Sequence, residues 1–186
     1  RTSREIIEML TTTALPQSVR NQAVSTFELL GDAEAAVHGI AVEQAHLHEV
    51  GGVDAIIDVV GTLLALESLG VERLYAGPLP AGSGLVKAAH GRLPVPAPAV
   101  LEIATRSGAT LLEARPGEPT AELVTPTAMA IIGANAKFTR PTFTLQRIGI
   151  GAGTRDFEGW PNVVRLWIGN TNEHHTGSLT IRPLVL

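Results

Sequence analysis

The sequence contains no cysteine and few aromatic or charged residues, and each scarcity narrows the class of protein. Without cysteine it has neither a disulfide framework nor a thiolate metal site, so any metal ion must have nitrogen or oxygen ligands. Aromatic residues make up 4% of the 186 residues and charged ones 17%, so the core must be packed mainly from Ala, Val, Ile and Leu. The hydrophobic content of 45% is ample for such a core, which excludes a disordered chain.

Clustered basic residues and long apolar runs are also missing. The net charge is -4 and the 14 Lys and Arg residues are scattered, which argues against a nucleic-acid partner because neutralising phosphates requires a basic patch. The longest apolar run, around Ile56 to Leu66, is interrupted by Asp58 and falls short of the ~20 residues of a membrane span. No signal peptide begins the sequence, so we expect a soluble, cytoplasmic protein.

Apolar periodicity predicts a mixed fold of class α/β (α+β), with helices packed on a mixed sheet and antiparallel strands in the C-terminal third. Residues 1–140 are expected to form the core, and residues 141–186 to close the same domain. A Gly- and Pro-rich passage, residues 77–98, has no regular period and is expected to be a long functional loop. The predicted helices cover residues 16–37, 53–69, 99–106 and 127–134, and the predicted strands cover residues 45–50, 72–76, 110–113, 142–151, 162–169 and 178–186.

Two histidines and three carboxylates occur together in one short stretch, HLHEVGGVDAIID, at residues 46–58. Residues two apart on a strand share a face, so His46 and His48 would present both imidazoles to one side and Glu49 to the other. On the helix that follows, Asp54 and Asp58 share a face. Like charges at that spacing destabilise an exposed helix by roughly 0.2–0.5 kcal/mol, so a cation near Asp58 would relieve the repulsion.

Three interpretations of this stretch stay open from the residues alone. The aspartates can form the solvated face of an otherwise buried helix, with the histidines as ordinary strand residues. Imidazole and carboxylate groups also suit a divalent ion of the borderline kind, such as Ni, Zn, Mn or Fe. The third interpretation is an acid/base or polar substrate site without a metal.

Two further segments carry candidate binding residues. His90 lies in the Gly- and Pro-rich passage, where its imidazole can bind a metal or exchange a proton, and the cations Lys87 and Arg92 flank it. Thr125 and Thr127 lie at the start of a predicted helix, whose free N–H groups can bind a phosphate or a carboxylate. A surface histidine and a simple helix cap explain the same residues without any ligand.

These segments, taken in order, resemble the LarC family of nickel insertion proteins, which act in nickel-pincer cofactor biosynthesis. The opening RTSREI and the AEAAVHG at residues 33–39 are similar too, so the resemblance extends over essentially the whole chain. Ala128 and Met129 differ from the smaller residues usual after TPT, which suggests a divergent substrate pocket. The main matching pieces are HLHEVGGVDAIIDVVG at residues 46–61, PLPAGSGLVKAAHGRLPVPAPAVLE at 78–102, TPTAMA at 125–130 and GIGAGTRDFEGWPNVVRLWIG at 149–169.

The resemblance implies an enzyme, a nickel insertase, that places nickel in a pyridinium bisthiocarboxylate mononucleotide through carbon–nickel and sulfur–nickel bonds. The product serves a lactate racemase and similar enzymes. The reaction is CTP-dependent, with Mg or Mn, and because family members continue into a C-terminal nucleotide-binding domain, we expect the nucleotide site outside this chain. A homo-oligomer is also expected.

The resemblance also implies roles for the candidate residues around one polar pocket. A non-catalytic assembly or scaffold domain and a metal-dependent hydrolase are the alternative functions. The candidate metal ligands are His46, His48, Asp54 and Asp58; the candidate catalytic residues are His48, Glu49, Asp58 and His90; and the candidates for holding the phosphate or carboxylates of the precursor are Lys87, Arg92, Thr125 and Thr127.

Overall fold

Helices occupy most of the first half of the chain, and the longest strands lie in its last third. The computed structural model describes residues 1–47, 52–88, 91–171 and 178–183, the last of these ranges by its backbone alone. The helices are α1 (Ser3–Thr12), α2 (Gln17–His38), α3 (Val53–Ser68), α4 (Pro98–Ser107) and α5 (Pro126–Asn135), and a 3-10 turn spans Val42–Gln44. The strands are β1 (Leu74–Ala76), β2 (Leu79–Pro80), β3 (Leu85–Ala88), β4 (Gly91–Pro94), β5 (Leu111–Leu112), β6 (Ala136–Lys137), β7 (Phe143–Ala152), β8 (Val163–Thr171) and β9 (Ser178–Pro183).

The ends of the helices follow from residues that the sequence places there. Gly39 and Gly108 end α2 and α4 in the left-handed conformation, with φ of 64° and 69°, which glycine adopts without strain. Pro98 and Pro126 begin α4 and α5, where the missing N–H would have had no helical partner. The four predicted helices are therefore confirmed to within one residue at each end.

The first helix, α1, is not among the helices predicted from periodicity. Thr2 Oγ1 accepts a hydrogen bond from the N–H of Glu5 at 3.2 Å, and Glu5 Oε2 accepts one from the N–H of Thr2 at 2.9 Å. This reciprocal capping box satisfies two N–H groups that a helix start otherwise leaves without a partner. Ile6 and Leu10, one turn apart, then attach α1 to the core.

The hydrophobic core lies among the helices, where α2 contacts α1, α3, α4 and α5. Aliphatic side chains fill most of it, as the composition predicts, and Phe27 is the aromatic residue among its fully buried members in the described part of the chain. The largest fully buried side chains belong to Phe27, Ile6, Leu10, Leu30, Leu47, Leu63, Leu79, Ile103, Met129, Val19 and Val59.

One sheet has the strand order β6-β1-β9-β8-β7 and combines both kinds of pairing. β1 pairs in parallel with β6 and with β9, whereas β8 pairs antiparallel with β9 and with β7. The predicted α/β class, with a mixed sheet and antiparallel strands in the last third, is confirmed. Two smaller pairs complete the topology, a parallel one between β2 and β5 and an antiparallel hairpin of β3 and β4.

Two predictions about the chain between the helices need correction. The passage of residues 77–98 is not a loop throughout, because it contains β2 and the β3–β4 hairpin. These strands have only two to four residues, and the frequent Gly and Pro between them prevent their recognition from the sequence pattern. The strand predicted at residues 45–50 is reduced, as far as the structure describes it, to one antiparallel bridge between His46 and Thr2. Residues 48–51 lie outside the described part.

Within the described chain, none of the helices has both the length and the apolar content needed to cross a bilayer.

Candidate functional site

His46 is exposed beside the start of α1. Its backbone forms a bridge with Thr2, and the N–H of the next residue, Leu47, donates a hydrogen bond to the carbonyl oxygen of Arg1 at 3.0 Å. Ala45 and Leu47 are buried while His46 is exposed, so the alternation of an extended chain turns the imidazole away from the core. The candidate ligand is therefore accessible from solvent.

Glu5 is a carboxylate near His46 that was not among the predicted site residues. The hydrogen bond from the N–H of Thr2 lowers the pKa of Glu5, and electrostatic interactions with His46 and Arg1 lower it further. The carboxylate is therefore ionised at neutral pH and interacts electrostatically with the imidazole. The capping-box pattern, Thr followed three residues later by Glu, is the sequence signal that points to it.

Asp54 and Asp58 both lie on the exposed side of α3. The buried residues Ala55, Val59 and Leu63 recur every four positions and face the core, so the aspartates lie outside the buried stripe. Asp54 is in the first helical turn, where the helix dipole favours a carboxylate. The exposed positions of both aspartates agree with the interpretation that they form a solvated helix face. That interpretation also assumed an otherwise buried helix, whereas the buried residues of α3 are only Ala55, Val59 and Leu63.

The predicted metal ligands do not form a complete site among the residues that the structure describes. Within residues 1–47, 52–88 and 91–171, no group of three or more His, Asp or Glu side chains is placed to hold a metal ion. His46, Asp54 and Asp58 therefore do not make one by themselves. The predicted residues His48 and Glu49 lie outside the described residues, as does His90, and their roles stay predictions.

Lys87 and Arg92 lie directly opposite each other in the β3–β4 hairpin. Directly opposed residues of an antiparallel pair project from the same face of the ribbon, and both of these side chains are exposed. Like charges in this arrangement repel each other unless an anion or solvent screens them. The hairpin thus presents two cations in one direction, one of them a guanidinium that can bind an oxyanion with two hydrogen bonds.

Gly82, at the base of this hairpin, packs closely against the segment that leads into α5. Its φ of 76° is in the left-handed region, and a Cβ there would overlap the carbonyl oxygen of Ala121. The N–H of Ser83 donates a hydrogen bond to the same oxygen at 3.2 Å. Since Ala121 precedes Thr125 by four residues, the hairpin and the start of α5 are parts of one packed unit.

Thr125 caps α5, which confirms the simple helix cap that explains this residue without any ligand. Its Oγ1 accepts a hydrogen bond from the N–H of Ala128 at 3.2 Å, and Thr127 is half-buried in the first turn. Met129 is fully buried in the core, so its side chain fills space between helices instead of reshaping a pocket. The suggestion that Met129 marks a divergent pocket is therefore not supported.

The chain matches the family model described as "Nickel insertion protein" over residues 1–182. Several curated proteins that carry the name of nickel insertion proteins, as a provisional assignment, are similar to this chain over most of its length. The protein of Thermomicrobium roseum is 49% identical over 165 residues, which are 89% of this chain and 40% of the relative. The protein of Roseiflexus castenholzii is 45% identical over 186 residues, 100% of this chain and 46% of the relative.

A third relative, from Geobacter metallireducens, is 48% identical over 170 residues, which are 89% of this chain and 42% of the relative. The chain therefore spans less than half the length of these curated relatives. No solved structure matches it.

Proposed function

Because the chain belongs to the nickel insertion protein family, we propose that it is the part of a nickel insertase that holds the pyridinium bisthiocarboxylate mononucleotide while nickel is inserted. Nickel and the mononucleotide are the substrates, and the product is the nickel-pincer cofactor of a lactate racemase or a similar enzyme. CTP, with Mg or Mn, binds outside this chain. The active protein is a cytoplasmic homo-oligomer in this proposal.

The observation that carries the proposal is the opposition of Lys87 and Arg92 across the β3–β4 hairpin. The precursor bears a phosphate and two thiocarboxylates, all of them anionic at neutral pH. A guanidinium paired with an ammonium suits such oxyanions, because Arg offers two parallel donors and Lys adds a point charge. In this proposal the N–H of Thr127, in the first turn of α5, binds a second anionic group, since Pro126 has no N–H and that of Ala128 is donated to Thr125 Oγ1.

The metal is assigned to the imidazoles of His46 and His48, together with Asp54 and Asp58. Imidazole nitrogen is a suitable ligand for nickel, and the exposed position of His46 allows the ion to be taken up and passed on. Replacing a carbon–hydrogen bond of the precursor by a carbon–nickel bond releases a proton. His48, Glu49, Asp58 and His90 are the proposed acceptors of that proton.

We expect the double substitution Lys87→Gln/Arg92→Gln to weaken binding of a pyridinium mononucleotide by at least tenfold, because it removes both cations of the hairpin. Calorimetric titration with nicotinate mononucleotide, a pyridinium compound with both a phosphate and a carboxylate, measures the effect. Arg115→Gln/Arg147→Gln is the matched control, since it removes two exposed cations elsewhere. Equal affinities of the two double variants would exclude the hairpin from substrate binding.

We expect His46→Ala/His48→Ala to weaken nickel binding by about tenfold or more, because two nitrogen ligands are lost. Nickel titration followed by calorimetry measures the dissociation constant. His174→Ala/His175→Ala removes the same number of imidazoles from another part of the sequence and should leave the constant unchanged. The metal assignment is wrong if both double variants bind nickel as the unmodified protein does.

A further inference from the structure

A second set of cations lines a cleft of about 490 Å³ beside the five-stranded sheet. The size is within the range of roughly 300–1,000 Å³ typical of small-molecule sites. The cleft lies where α5 ends, whereas Thr125 lies where α5 begins, and the 10 residues of that helix separate the two by about 15 Å. The polar side chains that line it belong to Arg73, Lys137, Arg140, Thr139, Thr142 and Thr171.

The ends of two parallel strands bring these side chains together. Tyr75 of β1 is in register with Lys137 of β6, and Arg73 immediately precedes β1. After β6 the chain turns tightly, with the N–H of Thr139 donating to the carbonyl oxygen of Lys137 at 2.9 Å. The turn returns Arg140 over β1, so the three cations come from segments far apart in sequence.

The guanidinium of Arg140 lies beside Gly77, the residue directly after β1. A Cβ at Gly77 would lie 3.7 Å from Arg140 Nε and 3.9 Å from Nη2, which is ordinary contact distance. On the opposite side, Arg73 Nη2 donates a hydrogen bond to Oγ1 of the buried Thr171 at 3.4 Å. Both guanidinium groups are therefore located by contacts with the sheet.

Among the described residues that line the cleft, the charged side chains are all positive, and none is Asp or Glu. No ion pair between residues of the described chain includes Lys137 or Arg140. Three cations with three threonine hydroxyls form a set of hydrogen-bond donors suited to an oxyanion, because ionic hydrogen bonds to phosphate are roughly twice as strong as neutral ones.

We propose that this cleft binds the phosphate group of a small phosphate ester. Lys137 and Arg140 contact the phosphate oxygens, Arg73 adds the third positive charge, and the hydroxyls of Thr139 and Thr142 donate further hydrogen bonds. The volume exceeds what a phosphate group alone occupies, so the remainder accommodates the organic part of the ester. The site is independent of the hairpin cations and of nickel binding.

Titration of ribose 5-phosphate at constant ionic strength, followed by calorimetry, tests the proposal. Lys137→Gln/Arg140→Gln should weaken its binding at least tenfold, while the control Arg115→Gln/Arg147→Gln should retain the affinity of the unmodified protein. Both substituted side chains in the cleft are exposed, so the variant is expected to fold, and its melting temperature verifies this. Ribose should not bind.

Three results would overturn the assignment. One is an equal affinity of the cleft variant and the unmodified protein for ribose 5-phosphate. Another is the absence of binding of ribose 5-phosphate to the unmodified protein. The third is inorganic phosphate binding as tightly as ribose 5-phosphate, which would mean that the organic part makes no contact and that the site takes a free anion only.

Discussion

Gly82→Ala is expected to lower the free energy of unfolding by about 2–5 kcal/mol, because it combines backbone strain with a steric clash. The φ of Gly82 is 76°, a region that costs an L-residue roughly 1–2 kcal/mol. The new methyl group would overlap the carbonyl oxygen of Ala121 and lie 3.0 Å from Val95 Cγ1. Relief requires the hairpin to move away from the segment before α5, so the substitution should also weaken mononucleotide binding.

Gly117→Ala is the matched control for this substitution. Gly117 has a φ of 88°, yet nothing lies within 4 Å of a Cβ built there, so only the backbone strain is present. Urea unfolding should give a loss of about 1–2 kcal/mol for Gly117→Ala. The difference between the two variants measures the close packing of the hairpin base. Equal losses would contradict the attachment of the hairpin to the α5 segment.

Phe27→Ala is expected to destabilise the protein by about 3–5 kcal/mol, because the substitution leaves a large cavity in the middle of the helical core. Phe27 is 0% exposed and its cluster is otherwise composed of aliphatic residues. Among the buried members of the helical cluster in the described chain there is no second ring to fill the space; Tyr75 is buried outside that cluster and Phe138 is only partly buried against it. Urea unfolding, with the transition slope compared between variants, measures the loss.

Val37→Ala provides the comparison on the same helix. Val37 is 42% exposed, and truncating it should change the free energy of unfolding by no more than about 0.5 kcal/mol. Phe27→Leu, which retains most of the buried volume, should cost less than Phe27→Ala. A loss for Phe27→Ala as small as that for Val37→Ala would mean that the core does not depend on the ring.

Helices α2 to α5 are predictable because their signals are local. Gly39, Gly108, Pro98 and Pro126 mark helix ends through the conformations that these residues favour or forbid, and the apolar period marks the faces between them. The family is also recognisable from motifs, since four matching segments occur in order along the chain, and it is confirmed by the comparison with relatives. The β3–β4 hairpin is missed because its strands of 4 residues are too short for alternation to stand out.

The candidate site is predictable only in part, because contacts between distant segments decide it. Lys87 and Arg92 can be chosen from their charge, but their direct opposition depends on the hairpin register. Glu5 reaches His46 through the bridge of Thr2 with His46, which no local pattern specifies. The cations of the cleft come from the residue before β1, from β6 and from the turn after β6, and their meeting depends on the parallel pairing of the two strands. The roles of His48, Glu49 and His90 stay predictions.

The position of β9 between β1 and β8 imposes an order on how the protein is made. The helical core consists of segments that end at Asn135, so it can assemble while the rest of the chain is still being synthesised. The sheet cannot close at that time, because its central strand is the last of its five strands to be synthesised. Until then β1 and β8 each have an open hydrogen-bonding edge, which is a template for pairing with other chains. Incomplete chains therefore expose two strand edges at which they can pair with one another until β9 is made.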